Sequence, residues 1–155
     1  MKSHFIYILI IFLFFFTACS KKEEKVTVLK EKNLETQMIE VYNQAMKEFE
    51  KGDVIYAGKK FSEAEMLFPQ SVWAPRALLM AAYGYFTQGY YSDAIRNLER
   101  FLVNYKNHPQ TDYAYYLLAL CHYDQIVDEK KDLNELLQSR KYFQILIKNY
   151  PNTDY

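Results

Sequence analysis

Two cysteines and three histidines are the most reactive side chains of this 155-residue chain, and their spacing builds no catalytic centre. Cys121 lies in the apolar run YYLLALCHYDQI, where a free cysteine behaves as a small buried hydrophobe. A thiolate nucleophile needs an activating charge beside it. His122 is the next residue, but successive helix positions point in different directions and do not face each other. His108 stands in a turn next to Pro109. The sequence holds no HExxH, no CxxC, no glycine-rich phosphate loop and no Ser/His/Asp setting, the spacings that those chemistries require. The paired acids Glu63 and Glu65, and Asp128 and Glu129, read as solvated helix faces and loops. We therefore expect no enzyme, no metal site and no cofactor.

The chemistry that remains is attachment at Cys19. Residues 5 to 16 are wholly apolar, Lys2 precedes them, and Thr17-Ala18-Cys19 closes the segment with small residues. That order is an export signal. Twelve residues rise only about 18 Å as a helix, against roughly 30 Å of bilayer hydrocarbon, so the segment is too short to span. Thr17-Ala18-Cys19 resembles a bacterial lipobox, in which the thiol is lipidated and the chain is cut before it. Residues 1–18 are then a lipoprotein signal peptide, and the mature chain starts at Cys19. Ser20 follows instead of the aspartate that marks inner-membrane retention, which points to lipid anchoring in the outer membrane, facing the periplasm.

Lysine and arginine number 19, as do aspartate and glutamate. Losing Lys2 leaves a slight acidic excess, which excludes a nucleic-acid partner, because phosphate binding needs concentrated basic charge. With Cys19 carrying lipid, Cys121 has no partner for an intrachain disulfide. Residues 19–34, rich in Lys and Glu and without aromatics, read as a flexible tether.

Beyond the tether the helical pattern is continuous. Three phrases punctuate it: Phe68-Pro-Gln-Ser-Val-Trp-Ala74, His108-Pro-Gln-Thr-Asp-Tyr-Ala114 and Tyr150-Pro-Asn-Thr-Asp-Tyr155. Trp73 and Tyr113 are 40 residues apart, and Tyr113 and Tyr155 are 42, a period that signals a helical solenoid. Ser71, Thr111 and Thr153 stand where helix N-caps are expected. Within the first repeat, Ala45, Gly52, Ala57, Phe61, Ala64 and Pro69 match the tetratricopeptide (TPR) spacing. Ala82, Tyr85, Gly89, Ala94, Leu98 and Phe101 follow in the second repeat, and Ser139, Phe143, Leu146 and Pro151 in the third. The fold expected is all-α, a TPR-like solenoid of about three hairpins over residues 35–155. Its repeats fall near 35–70, 71–110 and 111–152, with helices near 35–50, 54–67, 73–87, 91–105, 112–127 and 135–149.

The run from Phe68 to Gln125, and above all the phrase His108, Pro109, Asp112, Tyr113, Ala114, Tyr115, Tyr116 and Leu117, resembles the BamD family of outer-membrane assembly lipoproteins. That family carries about five repeats, so the chain looks like an N-terminal portion that stops on the threshold of a fourth. The resemblance implies a non-catalytic scaffold that binds unfolded outer-membrane β-barrel precursors, with BamA and other machine lipoproteins as partners. A lipid-anchored adaptor for a peptidoglycan enzyme is the alternative. First helices of TPR pairs line a binding face, which puts Tyr42, Met46, Phe49, Arg76, Leu79, Tyr83, Phe86, Tyr116 and Tyr123 in a peptide groove, with Phe68 at its edge.

The anchor is directly testable. Replacing Cys19 with alanine removes the acyl acceptor, and the protein should stay uncleaved or leave the membrane fraction, because stable anchoring needs more than one chain. Fatty-acid labelling with fractionation reads this. Equal recovery of both forms in the outer membrane, both unlabelled, excludes a lipoprotein.

Overall fold

The computed structural model describes residues 24–127 and 133–155, with side chains from Asn33 onward. The signal segment, Cys19 and the acids Asp128 and Glu129 lie outside the described residues. Six helices run α1 Glu24–Glu50, α2 Val54–Leu67, α3 Ala74–Thr87, α4 Tyr91–Asn104, α5 Thr111–Tyr123 and α6 Asn134–Asn149. No strand occurs among the described residues, and the compact unit is Leu34–Tyr155. The architecture is an all-helical TPR-like repeat, with consecutive helices from α2 to α6 packing on one another and α1 meeting α2 through Tyr42 and Phe49 on Phe61.

Small residues set the spacing of these helices. Ala45, Ala57, Ala64, Ala82 and Ala94 are fully buried, as are Phe61, Leu98 and Phe101. A methyl group at a helix crossing lets two backbones approach, and a large ring beside it fills the volume left over. Gly52 and Gly89 take φ of 89° and 73°, the left-handed conformation that a side chain resists. Both sit in the turn that folds a second helix back on its first. Pro69 follows directly after the C-cap of α2, where its ring and missing N–H end the helix.

Several boundaries differ from expectation. α1 begins at Glu24, inside the segment read as a tether, since residues 24–34 hold no glycine or proline and are rich in strong helix formers. α5 ends at Tyr123, four residues early, where Asp124 caps it with its N–H on the Leu120 and His122 carbonyls. The expected serine and threonine caps are displaced. Trp73 and Gln110 are the N-caps of α3 and α5, without side-chain cap bonds. Ser71 Oγ accepts from the Trp73 N–H at 3.2 Å, and Thr111 donates to the His108 carbonyl at 2.6 Å. These hydroxyls close the preceding turn, a local bond that competes with capping. Among the described N-caps, Asp53 alone caps as its type predicts, accepting from the Tyr56 N–H at 3.1 Å.

Ala57 and Ala94 hold equivalent crossings, so Ala57→Leu or Ala94→Leu should cost about 1–3 kcal/mol by overpacking. Val103→Ala, at a residue 76 % exposed, should stay within about 0.5 kcal/mol. Urea melts compare the three, and unchanged midpoints for both leucine variants would mean that the crossings are wrongly assigned.

Candidate binding cleft

α3 presents Arg76, Met80 and Tyr83 at helical spacing on one face, while Ala77, Leu78, Ala81 and Ala82 beneath them are fully buried. Opposite stands the start of α5, with Gln110 at its N-cap and Tyr113 in its first turn. Between them opens a cleft of about 520 Å³, lined by Arg76, Leu79, Met80, Tyr83, Gln110, Tyr113 and Tyr155. Three tyrosines form the walls, Leu79 and Met80 the apolar floor. Arg76 is exposed and takes part in no ion pair among the described residues. Such a site suits an aromatic or aliphatic side chain beside an anionic group.

Of the ten groove residues expected from the sequence, Arg76, Leu79 and Tyr83 meet in this cleft. Leu79 is only 4 % exposed and contributes floor. Tyr42 is not open: at 7 % exposure it packs edge-on to Phe61 at 5.2 Å and against Trp73 at 5.7 Å. Burial raises its hydroxyl pKa, against the opposing charge of Arg76. Met46, Phe49, Phe68 and Phe86 are partly buried against the core. Phe49 bridges Phe61 at 6.5 Å and Tyr83 at 6.3 Å, and Phe86 rests on Tyr91 at 6.0 Å. Tyr116 lies between Tyr155 at 5.2 Å and Phe143 at 6.5 Å. Tyr123, 58 % exposed, lies outside the cleft lining. The common cause is the repeat itself: these rings meet the second helix of their own hairpin, at Phe61, Tyr91 or Phe143, or the start of the next repeat, at Trp73, Tyr83 or Tyr155, before they meet solvent.

Four lining residues were not anticipated: Met80, Gln110, Tyr113 and Tyr155. Two of them, Tyr113 and Tyr155, are the aromatics of the repeated phrase, so their recurrence was the available signal. Desolvation raises the Tyr113 pKa to about 12, helped by Tyr83 and Tyr155, which keeps a neutral phenol in the cleft wall.

A model of the family described as YfiO, outer membrane lipoprotein, matches residues 34–155. The chain belongs to that family. It is 31% identical to the outer membrane protein assembly factor BamD of Caulobacter vibrioides over 137 residues, 88% of this chain and 44% of that protein. BamD of Rickettsia prowazekii is 30% identical over 115 residues, 74% of this chain and 46% of that protein. BamD of Neisseria gonorrhoeae is 29% identical over 125 residues, covering 74% and 47%. The chain spans less than half the length of these relatives.

Among the described residues of this YfiO-family chain, Cys121, His108 and His122 are held in packing and hydrogen bonds. Cys121 is fully buried, and desolvation raises its pKa to about 12. His122 Nδ1 meets Glu135 Oε2 at 2.6 Å, and its ring stacks on Tyr142 at 5.5 Å and 17°, so it pins α6 and has no part in activating the thiol. His108 Nδ1 accepts from the Gln110 N–H at 3.2 Å, with its ring edge-on to Phe101. Glu65, read as solvated, is 2 % exposed. Its carboxylate is held by Arg100 at 3.1 Å and the Tyr105 hydroxyl at 2.9 Å. No group of acids, histidines and cysteines that could hold a metal occurs among the described residues. No helix searched among them is long and apolar enough to cross a membrane.

Cys121 and Tyr113 both favour their neutral forms when folded, because burial is the largest cause of both shifts. Their contribution is therefore complete below the ordinary values of 9.0 and 10.0 and is lost as pH climbs towards about 12. Stability should fall steadily over that window, and Tyr113→Phe or Cys121→Ala should flatten the decline. Urea midpoints taken at several alkaline pH values report it. An undiminished slope in the double variant excludes these groups as its source.

Proposed function

We propose that this chain is a lipid-anchored, non-catalytic scaffold of outer-membrane protein assembly, held at the outer membrane through Cys19 and facing the periplasm. It receives unfolded β-barrel precursors on its first helices and works beside BamA and other assembly-machine lipoproteins. The single observation that carries this is the cleft itself: three tyrosine walls, an apolar floor and one exposed guanidinium. Support comes also from the relatives, each named as an outer membrane protein assembly factor.

An unfolded barrel segment offers what such a cleft takes. Its rings stack on Tyr83 and Tyr113, its backbone groups meet Gln110 and tyrosine hydroxyls, and a carboxylate pairs with Arg76. The planar guanidinium can hold that group through two parallel hydrogen bonds, which a lysine cannot. Ordering an extended chain costs entropy, so affinity should be weak, roughly micromolar. Weak binding suits a client that must be passed on.

Photo-crosslinkers placed at Tyr83 and Gln110 should capture barrel precursors in cells. Crosslinkers at the exposed Glu99 and Lys141, on the second helices α4 and α6, should not. Arg76→Ala should lower capture about tenfold if a charge-assisted bond is lost. Equal capture from both sets of positions overturns the reading, and capture of cell-wall synthases at Tyr83 would favour the peptidoglycan adaptor instead.

A further inference from the structure

Four large apolar side chains of the first two repeats stand exposed along one edge. Ser62 meets Asn97 at 3.0 Å and Glu65 meets Arg100 at 3.1 Å, so α2 and α4 run side by side in one direction and end together. Met66 in the last turn of α2 and Val103 in the last turn of α4 are both exposed. The link from α2 to α3 carries Val72, 81 % exposed, and Trp73, which rests on Tyr42 yet stays 41 % exposed. The link after α4 reaches back to it, with the Tyr105 hydroxyl 2.9 Å from the Pro69 carbonyl. Residues 68–73 and 105–110, the two links, hold no acid. Their one lysine, Lys106, is exposed and takes part in no ion pair among the described residues. Glu65, beside Met66, is buried and paired. Valine, methionine and tryptophan with a free lysine suit a phospholipid surface. Tryptophan favours the headgroup level, and a lysine there is drawn to anionic lipid.

The chain that leads back to Cys19 leaves the compact unit at this edge. Phe49 meets Tyr83 and Tyr42 meets Trp73, so α1, followed backwards from Phe49, heads towards Trp73 and on to Leu34. Cys19 precedes Leu34 by 15 residues. With residues 24–33 helical, that connection reaches at most about 32 Å. A bilayer holding Cys19 is therefore kept close to the edge, at the high effective concentration of a short tether. We propose that Met66, Val72, Trp73 and Val103 form a membrane-contact edge that rests on the phospholipid surface to which Cys19 anchors the chain. This rests on the reading of the chain as a lipid-anchored scaffold and says how that scaffold stands. Arg76 lies three residues beyond Trp73, about 4.5 Å of helix, so the cleft begins just above the headgroups and a precursor is received beside the membrane it enters.

Trp73 is the single tryptophan of the chain, so its fluorescence reports this edge alone. The full chain, processed and lipidated in cells, is reconstituted into phosphatidylethanolamine–phosphatidylglycerol vesicles, with or without a headgroup-nitroxide lipid, and collected by flotation. The nitroxide should quench Trp73. V72D/V103D should float equally and keep its urea midpoint, since both side chains are exposed, but lose nitroxide quenching and gain quenching by acrylamide. Lys106→Glu, which leaves the apolar residues in place, should weaken the nitroxide effect. Should the double variant melt early, the unaltered chain and Lys106→Glu decide the matter. A floating chain whose Trp73 the nitroxide does not quench overturns the proposal, as does quenching unchanged in a folded V72D/V103D. Either result beside precursor capture at Tyr83 sinks this inference alone. Quenching without precursor capture leaves the edge standing and sinks the proposed function. A chain that does not float removes the anchor and this inference together.

Discussion

The carboxylate of Glu65 constrains the joint between the first two repeats more than any other single group. At 2 % exposure on α2, a charge cannot persist without partners, and removing one side of such a pair is more costly than never having built it. Its partners come from the next repeat: Arg100 on α4 at 3.1 Å, and Tyr105 just past α4 at 2.9 Å. The Tyr105 hydroxyl also lies 2.9 Å from the Pro69 carbonyl, in the link that ends the first repeat. Desolvation, then the Glu65 bond, raises the Tyr105 pKa, so this phenol stays a donor at any physiological pH. Ser62 and Asn97 add a second polar tie between α2 and α4 at 3.0 Å. Apolar packing alone would let two helices slide by a turn at modest cost. A charged group with directed partners permits one register.

The register fixed among the second helices is inherited by the first helices. Tyr42 meets Trp73, Phe49 meets Tyr83, and Tyr113 meets Tyr155, so successive repeats touch through rings along that side. An aromatic contact works at centroid separations near 5–7 Å, wider than the alanine crossings beneath it. Between α3 and α5 the rings of Tyr83, Tyr113 and Tyr155 stand around the cleft. Its lining comes from two successive first helices and from the phrases that begin at His108 and Tyr150, so the cleft follows from how the repeats are joined.

This also explains what could be read from the chain and what could not. The hairpins were legible because Ala57, Ala94, Phe61 and Phe101 answer a local need: two helices and a turn suffice to decide their burial. Gly52 and Gly89 were legible because backbone sterics act on one residue at a time. Tyr42 was misplaced because its burial depends on Trp73, a residue of the next repeat, and periodicity within one helix cannot see it. Glu65 was misplaced for the same reason: its composition says surface, and only Arg100 and Tyr105, 35 and 40 positions later, make the interior tolerable. Tyr113 and Tyr155 were noticed as repeat markers, yet their role as cleft walls needed the angle between α3 and α5. These four lie at boundaries between repeats, where the information is split between two segments, whereas Phe86 and Tyr116 are covered by rings of their own repeats, Tyr91 and Phe143.

Nearest-neighbour construction has a consequence for the site. In a solenoid each repeat touches only those beside it, so stability is built up joint by joint, and the joints here are unlike. Between the first two repeats the tie is a buried carboxylate paired with Arg100, with three further polar bonds. In the phrase after α6, Thr153 and Tyr155 hold to α5 by one hydroxyl bond and two ring contacts. The His122–Glu135 pair and the Tyr142 stack secure α6 to α5 but leave residues 153–155 outside that clasp. Tyr155 stands in the cleft wall with Tyr83 and Tyr113, whereas the Glu65 network ties α2 to α4 and the residue that follows it. The group that fixes the register and the rings that line the cleft are therefore carried by different helices, so the lining can vary without loosening the tie that holds the repeats in place.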